Sequence, residues 1–105
     1  MTLVSIAGRE VHVDEEGFLT EFDEWTEPIA GELACDVGIE ALTEEHLQVL
    51  RFLRTAYRAN GETPTLRRVS SVGGFDTKRL FVLFPKKPAK KMAYVAGVPK
   101  PVGCV

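Results

Sequence analysis

A chain of 105 residues with 45% hydrophobic and 27% charged side chains suits one globular domain with a modest core. No apolar run approaches the ~20 residues a membrane-spanning helix needs, and the Met-Thr-Leu-Val-Ser start lacks a secretory signal's basic and apolar regions, so the two cysteines are read as reduced thiols of a cytoplasmic protein. The charge is polarised along the chain: residues 1–50 hold one arginine and thirteen carboxylates, residues 51–105 twelve lysines and arginines and two carboxylates.

Leu3-Val4-Ser5-Ile6 and Arg9-Glu10-Val11-His12-Val13 alternate on either side of Ala7-Gly8, which predicts a hairpin. Asp14 to Gly17 turns the chain, and Phe18-Leu19 is expected to add a short third strand. After Trp25, Thr26 caps a helix with Pro28 in its first turn, Ile29, Ala30, Leu33 and Ala34 within it, and an end near Gly38. Cys35 falls in this helix and is read as a small buried hydrophobe, because no neighbouring cation would activate it. Thr43 opens the clearest helix, with Glu44 and Glu45 in the first turn and Gly61 past its end. Leu47, Leu50, Leu53 and Tyr57 form its apolar stripe, thickened by Val49, Phe52 and Ala56. His46 reads as a surface or core-edge residue, since no second histidine or cysteine stands at metal-site spacing; no metal is expected.

Asn60 to Pro64 reads as a loop. Thr65 caps a short helix with Leu66, Val69 and Val72 inward and Arg67 and Arg68 outward, ended by Gly73-Gly74. Thr77 to Phe84 forms another, closed by Pro85. Pro88 opens the last helix, where Ala89, Met92, Ala93 and Ala96 allow close packing, and Gly97 ends it. The expected fold is α+β: a small N-terminal antiparallel β-meander packed on an array of about five helices, residues 1–96, with an extended C-terminal arm over residues 97–105.

In that arm, Gly97-Val98-Pro99-Lys100-Pro101-Val102-Gly103-Cys104-Val105, Pro99 and Pro101 fix φ and disfavour helix. At roughly 3.1 Å per residue an extended arm carries the Cys104 sulfur on the order of 20 Å from its anchor, and a thiol on such a tether suits delivery into another protein's active site. Gly103 supplies backbone freedom beside it. The polarised charge implies mutual neutralisation in the folded molecule, within a Debye length of about 10 Å at 0.1 M salt. It also places Lys86, Lys87, Lys90, Lys91 and Lys100 as a basic collar that would steer the arm to an acidic partner or raise its thiolate fraction.

Leu83-Phe84-Pro85-Lys86-Lys87-Pro88-Ala89-Lys90 and the run from Ala96 to Val105 resemble the C-terminal signature of the DsrC/TusE family, the gamma subunit of dissimilatory sulfite reductase and the sulfur-relay protein of tRNA 2-thiouridine synthesis. Leu42-Thr43-Glu44-Glu45-His46, Arg51-Phe52-Leu53-Arg54 and the turn from Asp14 to Leu19 extend the likeness over nearly the whole chain. Members of the DsrC type carry a second cysteine eleven residues before the penultimate one, and that position here is Ala93. The resemblance thus implies a single-cysteine carrier: Cys104 holds sulfane sulfur as a persulfide, without the intramolecular trisulfide of the two-cysteine branch.

The partners so implied are a sulfurtransferase donor and a thiolation enzyme acceptor, or sulfite reductase subunits, docked through the collar with Arg67 and Arg68. The chain acts as a co-substrate more than as a stand-alone enzyme. No cofactor is expected, since there is neither a phosphate loop nor an iron–sulfur cysteine cluster, and no membrane partner. Two competitors are a non-transferring subunit of a sulfite reductase, and a helix-turn-helix built from Thr65 to Phe84 with Arg67, Arg68, Lys78 and Arg79 on phosphates. The pI near 5.7 stands against direct nucleic-acid binding.

Overall fold

The computed structural model describes residues 2–101, so the expectations for Gly103 and Cys104 concern residues outside this range. Strands β1 (Thr2–Ile6) and β2 (Arg9–Val13) pair antiparallel, Thr2 opposite Val13 and Ile6 opposite Arg9. Ala7 and Gly8 both take positive φ, 53° and 77°, the geometry of a two-residue turn whose twist matches the flanking strands. β2 supplies the inward face through Val11 and Val13, while β1 is an outer edge with Leu3 half exposed. The expected third strand shrinks to one bridge, Val13 to Leu19. The Asp14 carboxylate accepts from the backbone N–H groups of Glu16 and Phe18, closing the turn, while the Asp14 N–H donates to the Phe18 carbonyl and the Thr20 N–H to the His12 carbonyl on either side of that bridge. Phe18 and Leu19 are then both buried, where a strand would alternate.

A 3₁₀ turn at Phe22–Glu24 leads to α1 (Glu27–Asp36), capped by the Thr26 hydroxyl on the Ile29 N–H. Ile29, Ala30, Leu33 and Ala34 form its buried stripe. Cys35 is exposed, which corrects its reading as a buried hydrophobe. Each residue turns the helix by ~100°, so the position after Ala34 rotates off the stripe toward solvent.

Helix α2 (Glu44–Asn60) begins in a reciprocal cap. The Thr43 hydroxyl accepts from the His46 N–H, and His46 Nδ1 accepts from the Thr43 N–H at 3.0 Å. Since Nδ1 accepts, Nε2 carries the proton and donates to the Leu83 carbonyl at 2.9 Å. His46 is therefore a buried strut between the start of α2 and the Leu83 main chain, at the edge of the core. Gly61, at φ 73°, ends α2.

Two short helices follow, α3 (Leu66–Ser71) and α4 (Thr77–Leu83), then α5 (Pro88–Ala96). Thr65 caps α3 as expected and Val69 is buried. Val72, expected inward, is 63% exposed because the helix ends at Ser71 and the chain turns away through Gly73-Gly74. α5 packs on α1 and α2 and is the most enclosed helix, with Pro88, Ala89, Met92, Ala93, Val95 and Ala96 all buried. Its alanines allow backbones to approach, and each fully buried aliphatic side chain stabilises by about 1.5–3 kcal/mol. Before Pro88, Lys86 and Lys87 take φ 59° and 49°. Among the described residues no helix is long and apolar enough to cross a membrane.

Candidate functional site

The C-terminal segment leaves α5 through a tight cap. Gly97 takes φ 72°, and the Val98 N–H reaches back to the Ala93 carbonyl at 3.2 Å. A Cβ on Gly97 would stand 2.5 Å from Trp25 Cδ1 and 3.0 Å from Leu19 Cδ1, so the Trp25 ring fills the space a side chain would need. The Trp25 indole N–H donates to the Val95 carbonyl at 2.8 Å. Arg54, in the middle of α2, donates from Nη1 to the Ala96 carbonyl at 3.0 Å and from Nη2 to the Phe22 carbonyl at 2.8 Å. Its guanidinium lies 3.8 Å from the centre of the Phe22 ring and 4.4 Å from that of Trp25. Burial, helped by the nearby Arg58 charge, lowers the Arg54 pKa from the usual arginine value.

Beyond this root the chain stays against the domain. Gly97, Val98 and Pro101 are buried, Pro99 and Lys100 exposed. The Thr63 hydroxyl donates to the Pro99 carbonyl at 2.6 Å, and Lys100 Nζ lies 3.2 Å from the Glu16 carboxylate, which Lys90 approaches at 3.9 Å. Glu16 thus links α5 to the segment that follows it.

The collar residues divide. Lys87, Lys90 and Lys91 line a cavity of about 330 Å³ with Glu16, Phe18, Asp36 and Tyr94, and Lys91 donates to the Pro85 carbonyl. Within it the Tyr94 hydroxyl donates to Asp36 at 3.1 Å; burial first, then this bond and the Asp36 charge, pushes the phenol up to about 12. Lys100 joins them through Glu16. Lys86 is exposed beside Lys87 and outside that lining. Arg68 lines a second hollow with Asn60, Glu62 and Thr63, which brings it near the Pro99 contact, while Arg67 is exposed and belongs to neither group. Of the residues proposed for phosphate contacts, Arg79 is committed to a two-pronged ion pair with Glu45 that lowers the Glu45 pKa and raises its own.

Sequence reasoning missed Trp25, Arg54, Thr63 and Glu16. One signal was available: Arg54 sits at the spacing of Leu50 and Tyr57, a charge inside the apolar stripe of α2.

A small α+β domain with a C-terminal extension held at its root is the class these features define. The chain belongs to the family described as DsrC like protein, whose model matches residues 5–105. It is 37% identical over 105 residues to the sulfite reductase, dissimilatory-type subunit gamma, of Nitratidesulfovibrio vulgaris, covering 100% of both chains. It is 38% identical to the sulfurtransferase TusE of Escherichia coli K12, covering 93% of this chain and 95% of that one. Among solved structures, one of dissimilatory sulfite reductase I (DsrI) matches with TM-score 0.87 and 39% identity over 99% of this chain and 100% of that one. Allochromatium vinosum DsrC matches with 0.81 and 36% over 98% and 97%.

Proposed function

We propose that this chain is a sulfur-relay protein that carries sulfane sulfur on Cys104 between partner proteins, in the manner suggested by its likeness to the sulfurtransferase TusE. The observation that carries the reading is the full-length kinship combined with the cysteine pattern: Cys104 is the penultimate residue, and alanine stands at 93, where the resemblance places the second thiol of two-cysteine members. In the step proposed, the Cys104 thiolate attacks the outer sulfur of a donor cysteine persulfide, R–S–SH. The new S–S bond forms at Cys104 as the donor's S–S bond breaks, the donor cysteine leaves as its thiolate, and the proton stays with the transferred sulfur. No external oxidant or reductant is consumed. An acceptor enzyme then takes the sulfur by the reverse exchange, and the role is that of a co-substrate inside the cytoplasm.

Docking falls to Lys86, Lys87, Lys90, Lys91 and Lys100 with Arg67 and Arg68, against acidic surfaces on a sulfurtransferase donor and a thiolation enzyme acceptor. Of the arm residues, Gly97, Pro99 and Pro101 lie along the part seated on the domain, and Gly103 belongs to the tether proposed beyond it. Mass spectrometry after incubation with a persulfide-loaded sulfurtransferase tests the proposal. One added sulfur atom on wild type and none on Cys104→Ser is the expected result; no adduct on wild type, or one that survives the substitution, overturns it.

A second reading is favoured by the match with a sulfite reductase gamma subunit over the whole of both chains. The chain would then serve a sulfite reductase, presenting its tail to the larger subunits. Co-purification of such subunits from the native host, with no tRNA-thiolation partner, would select it.

A further inference from the structure

We propose that Arg54 and Trp25 are positioning residues that set the direction in which the C-terminal segment leaves α5, and so govern delivery of Cys104 to a partner without touching its sulfur. This rests on Cys104 being the carrier.

Arg54 is half-buried, and withdrawing a guanidinium from water is costly unless its hydrogen bonds are made. Arg54 spends both terminal nitrogens on main-chain carbonyls: that of Ala96, which the end of α5 leaves without a helical partner, and that of Phe22. Its cation sits at the negative end of the α5 dipole, clamped flat against Phe22 and Trp25. Trp25 closes the arrangement from the other side. Its indole N–H holds Val95, and its ring excludes any side chain at 97, leaving the chain one way to turn. Two residues from α2 and the N-terminal half thus grip three consecutive residues, Val95 to Gly97, at the last turn before the segment bearing Pro99 and its bond to Thr63.

The experiment uses the full chain in a Cys35→Ser background and compares wild type, Arg54→Met, Arg54→Lys and Gly97→Ala, each first shown to be folded by its melting transition. Transfer is measured from a persulfide-loaded sulfurtransferase and from cysteine persulfide, a small donor that needs no docking. Arg54→Met is expected to slow transfer from the protein donor about tenfold while loading from the small donor stays within about twofold. Arg54→Lys should not rescue, because one ammonium cannot span both carbonyls. In parallel, NMR cross-peaks between Thr63 and Pro99 should be present in wild type and lost in Arg54→Met. Gly97→Ala, which displaces the same root through Trp25, should behave likewise if Arg54→Met does not fold.

A folded variant with normal transfer and intact Thr63–Pro99 cross-peaks overturns the inference. So does an equal loss with both donors, which would mark an effect on thiol reactivity instead of direction. If wild type accepts sulfur from neither donor, the carrier reading fails separately, and the cross-peaks alone then decide whether the seat exists: retained in Arg54→Met they overturn it, lost they support it.

Discussion

His46 has every ring nitrogen committed, to the start of α2 and to the Leu83 carbonyl of α4. Truncation removes the cap bond and orphans a buried carbonyl, so His46→Ala should lower unfolding free energy by about 2–3 kcal/mol in denaturant titration. Sequence alone placed this histidine at the surface or the core edge and could not find Leu83, which lies 37 residues away. Cys35 shows the opposite limit. Free cysteine is commonly buried, and only the phase of the α1 stripe, fixed by α5, turns it out. At Tyr94 the phenol is pushed from 10.0 to about 12, so the folded state keeps its proton where the unfolded chain gives it up. Its contribution to stability is full below about pH 10 and is lost as pH rises through about 12. Thermal melts between those limits should show Tyr94→Phe losing less stability with rising pH than wild type.

At the scale of elements, local signals carried most of the architecture. Thr26, Thr43 and Thr65 all cap helices as their sequence contexts imply, and Gly61 and Gly97 end theirs at positive φ. The Phe18-Leu19 strand is cut to one bridge because the Asp14 carboxylate takes the Phe18 N–H for the turn and the chain leaves for the 3₁₀ turn at Phe22, a choice apolar periodicity does not encode. Burial of Val98 and Pro101 is equally invisible locally, since Val98 follows a cap built against Leu19 and Trp25 from the other half of the chain. α5 is where packing is tightest, and Ala93 has no exposed surface at all. Inserting a large side chain there must push α5 off its neighbours: Ala93→Leu should destabilise by about 1–3 kcal/mol, read as a lowered denaturant midpoint at unchanged slope.

Across the whole molecule the polarised charge is folded back on itself. Arg51 bridges Glu27 and Glu44, Arg79 meets Glu45, and Lys90 and Lys100 share Glu16. These pairs are at the surface and worth little to the fold, so raising salt to about 1 M should move the thermal midpoint by only a few degrees. The docking proposed for Lys86, Lys87, Lys90, Lys91, Lys100, Arg67 and Arg68 predicts instead that sulfur transfer from a protein donor slows steeply over the same range, while loading from cysteine persulfide does not.

The bond from Thr63 to Pro99 and the burial of Pro101 have a geometric corollary. Only three peptide steps separate Pro101 from Cys104, and extended backbone advances at most ~3.3–3.6 Å per residue, so with the preceding residues in place the thiol reaches on the order of 10 Å past that proline. With Cys104 as the carrier proposed above, a companion enzyme whose reactive sulfur lies shallower than this would be served without disturbing the domain. One with a deeper shaft must first prise Pro99 from Thr63 and Lys100 from Glu16, so the depth of a partner's pocket sorts its encounters into quick and slow.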